Sequence, residues 1–172
     1  NLGVMYKNVR GVPQGHVRAM ELYRKAPNQG HAAAQCNLGQ MYENGRGVSQ
    51  DHVRAVEWYR KAANQGNAGA QSNLGVMYMN GHGVPQDHVR AVELYRKAAN
   101  QGHAAAQSNL GLMYENDHGV SLDHVRAVRW YREAANQGDA VAQSNLGAMY
   151  SNGHGVPQGH VRAVELYRKA AN

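Results

Sequence analysis

Residues 37–72 read NLGQMYENGRGVSQDHVRAVEWYRKAANQGNAGAQS, and residues 73–108 read NLGVMYMNGHGVPQDHVRAVELYRKAANQGHAAAQS. The two stretches differ at seven of 36 positions, and their opening tripeptide Asn-Leu-Gly stands at Asn1, Asn37, Asn73, Asn109 and Asn145. A fixed period of this length marks a repeat architecture, in which one supersecondary unit is copied because it cannot bury its apolar face alone. The period frames five copies, 1–36, 37–72, 73–108, 109–144 and 145–172. They are read as a single solenoid domain over 1–172, about 4.7 repeats long and expected to be a piece of a longer array.

Within one copy, Gly30 and Gly66 mark the ends and Gly45 with Gly47 the middle, which predicts two helices around a glycine loop. Ala32, Ala34, Gln35, Leu38, Gly39 and Tyr42 fall in one arc of about 160° on a helical wheel, predicting a first helix over about 31–43. Ala55, Trp58, Tyr59, Ala62 and Ala63 share a face opposite Val53, Arg54, Glu57, Arg60 and Lys61, predicting a second helix over about 51–64. Asn44-Gly45 suits a left-handed stop to the first helix, and Asp51 suits either an N-cap or a first-turn negative charge on the second. Gly39 recurs in mid-helix at Gly3, Gly75, Gly111 and Gly147, each costing about 1 kcal/mol relative to alanine. The compensation is close approach: without a Cβ at Gly39, Tyr59 or Trp58 can lie flat across the helix pair. All ten tyrosines occupy the Tyr42 and Tyr59 positions, which makes them core spacers. The first copy departs at Val9, Gly15 and Pro27, and the fourth carries Asp117 for Gly45 and an Arg129 and Glu133 pair for Glu57 and Lys61. The fold class is all-α, an α/α solenoid superhelix of 36-residue helix-loop-helix repeats.

The string Ala32-x-Ala34-Gln35-x-x-Leu38-Gly39-x-x-Tyr42-x-x-Gly45-x-Gly47-Val48-x-x-Asp51-x-x-x-Ala55-x-x-Trp58-Tyr59-x-x-Ala62-Ala63-x-x-Gly66 resembles the Sel1-like repeat, a relative of the tetratricopeptide repeat, over the whole chain. The resemblance implies a right-handed helical array that serves as an adaptor in protein complexes, most often bacterial. Family members have signalling, cell-envelope and host-contact roles, so the resemblance favours a cell-envelope or secreted protein and leaves a cytoplasmic one open. No catalytic residue is carried over. One subset, the Helicobacter cysteine-rich proteins, has paired cysteines in each repeat and is associated with β-lactam binding; here Cys36 gives way to Ser72, Ser108 and Ser144, which sets the chain apart from that subset.

Composition narrows the classes further. With 42% hydrophobic and 17% charged residues the 172-residue chain is foldable, and no apolar run approaches the ~20 residues of a membrane span. One cysteine forms no internal bridge. His16, His52, His88, His124 and His160 recur in register, and His82, His118 and His154 sit in glycine loops. Equivalent residues of stacked helices lie ~8–10 Å apart, too far for two imidazoles to share one zinc, so no metal site is expected. Nor is a catalytic site or a cofactor: Cys36 has no copy, the Ser72 position is read as exposed with no base at a defined spacing, and Gly45-x-Gly47 follows a helix where a phosphate loop would follow a strand.

The informative stripe lies opposite the core arc of the first helix, at positions 33, 36, 40 and 43. Gln40 becomes Val76, Leu112 and Ala148, and Glu43 becomes Met79, Glu115 and Ser151, around an unchanging ladder of Asn37, Asn73, Asn109 and Asn145. Fixed amides flanked by varied side chains are what reading an extended peptide requires. The expected function is a non-enzymatic scaffold that binds a protein or peptide on the concave surface of the first helices. Its candidate site is Asn37, Gln40, Glu43, Asn73, Val76, Met79, Asn109, Leu112, Glu115 and Asn145. The alternative is a basic solenoid bound to nucleic acid or an anionic surface, because the outward side of the second helices holds fifteen of the 18 basic residues against five acidic ones, within a net charge of +6. An enzyme acting on cell-wall or β-lactam substrates is the third reading. Leu2 to Tyr6 and the last helix are expected to leave core exposed and so to favour end-to-end stacking between molecules.

Overall fold

The computed structural model describes residues 32–172. The expectations for Leu2 to Tyr6, Val9, Gly15 and Pro27 lie outside them. The described residues form eight helices and no strand: α1 Ala32–Asn44, α2 His52–Asn64, α3 Ala68–Asn80, α4 His88–Asn100, α5 Ala104–Glu115, α6 His124–Asn136, α7 Ala140–Asn152 and α8 His160–Ala170. The chain divides between Gln86 and Asp87 into two compact units. In the first, α2 packs against α1 and α3; in the second, α5 packs between α4 and α6, and α7 between α6 and α8. This is the α/α solenoid arrangement.

Local chemistry fixes the helix ends. Asp51, Asp87 and Asp123 are N-caps, each accepting the amide three residues on at 2.8–3.0 Å, so the cap role is the one realised. Asn67, Asp139 and the His103 ring cap α3, α7 and α5 in the same way. Gly159 supplies no side-chain cap to α8. Gly81 and Gly153 end α3 and α7 in the left-handed conformation, as Gly45 does in its copy. Asp117 takes the same conformation with φ +58°, and its carboxylate accepts the Leu122 amide at 3.0 Å, holding locally what glycine adopts freely.

The close approach at the mid-helix glycine is present. A Cβ on Gly39 would lie 2.5 Å from the Tyr59 ring, and one on Gly111 2.7 Å from Tyr131. Tyr59, Tyr95 and Tyr131 are fully buried. Two expectations change. Val56, Val92 and Val128 take the buried place given to Trp58, which sits half-buried at the edge with Lys61 Nζ 4.4 Å above its ring. Cys36, Ser72 and Ser108 are buried, where the sequence reading left that position on an exposed face; Ser144 alone is open. In α5 the cause is visible: the helix is covered by both α4 and α6, so small side chains away from its main apolar arc are also enclosed. Met113 is buried for the same reason, and Met41, Met77 and Met149 are buried as well.

Candidate binding face

The candidate residues lie on the first helix of each repeat, α1 and α3 in the first unit and α5 and α7 in the second. Gln40 is exposed, and Glu43, Val76, Met79, Leu112 and Glu115 are half-buried. The ladder residues Asn37, Asn73, Asn109 and Asn145 are half-buried as well. None is sealed inside the core.

Part of the ladder has an internal role that the sequence did not reveal. The Tyr59 hydroxyl donates to the Glu43 carboxylate, with the Asn73 side chain near enough to favour the ionised phenol. The Tyr131 hydroxyl donates to Glu115 at 2.6 Å, with Asn145 placed in the same way. Each of these asparagines thus stands beside the tyrosine of the preceding repeat, and each glutamate meets the tyrosine of its own. Burial, first, and then the hydrogen bond to the neighbouring carboxylate push both phenols well above the usual tyrosine range; burial does the same to Tyr95. Asn73 Nδ2 also lies 4.0 Å from Cys36 Sγ. The Cys36 thiol is pushed up by burial and then by the Glu43 charge, the opposite of what a nucleophilic thiolate needs.

Other invariant polar groups satisfy one another across the repeat seams. Gln71, Gln107 and Gln143, all buried, donate to the carbonyls of Ala63, Ala99 and Ala135 at 3.2 Å, closing the preceding second helix. Arg60, Arg96 and Arg132 donate to the hydroxyls of Tyr78, Tyr114 and Tyr150 at 3.2–3.3 Å. On the outer helices, Arg54, Arg60, Lys61 and their copies through Lys169 are exposed. The histidines depart from the sequence argument, which compared members of one set only. His52 meets His82, His88 meets His118 and His124 meets His154, with ring centroids 4.8–5.0 Å apart. No helix among the described residues is long and apolar enough to cross a membrane.

The Sel1 repeat family model matches five consecutive segments, 1–31, 32–67, 68–103, 104–139 and 140–172. Its frame starts each unit at the first helix, five residues before the Asn-Leu-Gly tripeptide. The chain is similar to a protective antigen of uropathogenic Escherichia coli strains displaying an SLR fold, with 40% identity, TM-score 0.85, and coverage of 99% of this chain but 36% of that one. It therefore spans about a third of that relative. A Sel1 repeat protein from Oxalobacter formigenes is 39% identical, with TM-score 0.87 and coverage of 99% and 68% of the two chains. A Sel1 repeat protein from Klebsiella pneumoniae shares the fold at 24% identity and TM-score 0.66, covering 88% and 73%. Comparison with curated proteins gives no match. The chain belongs to the Sel1 repeat family, whose members are typically non-enzymatic scaffolds and commonly protein–protein interaction modules.

Proposed function

We propose that this protein is a scaffold that binds a protein or peptide segment on the face of its first helices. The observation that carries this reading is the contrast between fixed and varied positions on that face. Asn73 and Asn145 lie beside buried tyrosine hydroxyls and are half-buried, which restricts their amides and leaves hydrogen-bonding capacity for a partner's main chain. Beside them, the varied Val76, Met79 and Leu112 are only half-buried and differ from copy to copy, as side-chain pockets along a peptide would. The test is a peptide selected against the intact chain from a displayed library. Replacing Val76 and Leu112 together by Asp should weaken it at least tenfold, about 1.4 kcal/mol, with an unchanged melting temperature. Unchanged affinity in that variant would refute the assignment of the face.

A second reading, polyanion binding on the second helices, is favoured by one observation. Half-buried Trp58 lies beneath Lys61, and Trp130 has Arg129 5.8 Å from its ring centroid, so aromatic and basic side chains are interleaved on that face. Heparin and a short single-stranded nucleic acid, titrated at two ionic strengths, separate the readings. Base-preferring binding that persists at physiological salt would replace the scaffold assignment; weak, sequence-blind binding lost there reports only a basic surface.

A further inference from the structure

The three histidine pairs belong to neither reading, and their construction is the same each time. His52, His88 and His124 are the first residues of α2, α4 and α6. Their partners His82, His118 and His154 lie thirty residues on, each between two positions in the left-handed region: Gly81 and Gly83, Asp117 and Gly119, Gly153 and Gly155. The second glycine brings the loop against the helix start. A Cβ on Gly83, Gly119 or Gly155 would lie 2.4–2.5 Å from the backbone of His52, His88 or His124 respectively. No side chain fits there, so the pairs are seated by backbone contact across a repeat seam.

Their spacing fits a shared metal ion. With a metal–nitrogen distance of about 2.0–2.1 Å and the imidazole centroid about 1.1 Å behind the nitrogen, two ligating rings lie about 4.5 Å apart at a right angle and about 5.2 Å apart at a tetrahedral one. The observed separations, 5.0, 4.9 and 4.8 Å, fall between these limits. The rings are 21–35° from parallel, so ligation requires each to turn about its side-chain torsions until one nitrogen of each faces a common ion. A second observation points the same way: His118 Nδ1 is shut off from solvent and has no hydrogen-bond partner. Buried polar atoms are nearly always partnered, and a ligand would satisfy this one. In the first pair, Gln50 Nε2 stands 3.2 Å from His52 Nε2, a contact the ion would replace there.

We propose that the three pairs are binding sites for a divalent late transition metal, each supplying two imidazole ligands across one seam. Among the described residues no third His, Cys, Asp or Glu joins any pair, so water completes the coordination. Imidazole donors select nickel, copper or zinc over magnesium or calcium.

The experiment is a calorimetric titration of the intact chain with Ni2+, with Cu2+ electron paramagnetic resonance to count nitrogen ligands. The unaltered protein should bind three ions, each with two nitrogens, and rise in melting temperature on loading, because the ion links a helix start to the following repeat. The triple replacement of His82, His118 and His154 by Arg copies Arg46, which already occupies the same loop position in the first described repeat, so the fold is retained. It should lose at least tenfold in affinity. The uncharged triple replacement by Gln should lose as much, which separates ligand loss from charge repulsion. Replacing unpaired His103 and His160 by Gln should change affinity less than twofold. Equal binding by the triple variants and the unaltered protein, or an equal loss in the His103 and His160 control, would overturn the proposal.

Discussion

The mid-helix glycines allow the same substitution to be made in two settings that differ in one respect. At Gly111 an alanine Cβ would fall 2.7–3.1 Å from three ring atoms of Tyr131, which has no exposed surface and donates to Glu115 at 2.6 Å. At Gly147 it would fall 2.9–3.2 Å from Tyr167, which is 41% exposed. Alanine gains about 1 kcal/mol of helix propensity at both sites. At Gly111 the ring has nowhere to retreat: overpacking costs ~1–3 kcal/mol, and loss of the hydrogen bond to a carboxylate costs ~1.5–3 kcal/mol. Gly111→Ala should therefore destabilise by about 1.5–5 kcal/mol net. At Gly147 the Tyr167 ring swings toward solvent and the propensity gain survives, so Gly147→Ala should lie between neutral and ~1 kcal/mol more stable. Urea midpoints and thermal melts of both variants measure the difference, with about 2–4 °C expected per kcal/mol in a chain of this size. A Gly111→Ala protein as stable as the parent, or a Gly147→Ala protein equally damaged, would refute the account of why glycine recurs there.

Tyr59, Tyr95 and Tyr131 have folded pKa values above the unfolded value of ~10, so the stability they confer is complete below that pH and is lost as pH rises past it. The protein should unfold cooperatively in alkali, with phenolate absorbance of these three appearing only together with loss of helical circular dichroism; early, independent ionisation would contradict their burial. Gly159→Asp should add about 0.5–1.5 kcal/mol by giving α8 the cap that α2, α4 and α6 have and by stiffening the unfolded chain. The backbone there has φ −155°, open to any residue, and a new Cβ meets nothing closer than 3.6 Å, so a melting temperature that fails to rise would show that the cap adds nothing at this helix.

The period, the helix pairs and the Gly39 approach to Tyr59 were legible because each is written in residues near one another or in exact copies, while Asp51 was narrowed to two roles of which the cap is the one formed. What escaped lies between repeats. A wheel drawn for one helix finds one buried face, but α5 is enclosed by both α4 and α6, so Met113 and Ser108 are buried as well as Leu110. The histidine pairs are thirty residues apart in a 36-residue period, joining the start of one repeat's second helix to the loop of the next. Neither a wheel nor a comparison of equivalent positions reveals that relation.

The same reasoning separates fold from function on the candidate face. Residues identical in every copy tend to be answered by other identical residues: Gln107 by the Ala99 carbonyl, Arg96 by the Tyr114 hydroxyl. Their repetition is explained from inside the molecule, so it identifies no partner. The varied positions have no such uniform counterpart. Glu43 and Glu115 hold a tyrosine hydroxyl, whereas Met79 and Ser151 at the same place carry no carboxylate. Val76 and Leu112 are half-buried and differ from copy to copy, so these positions, more than the asparagines between them, should decide which partner is bound.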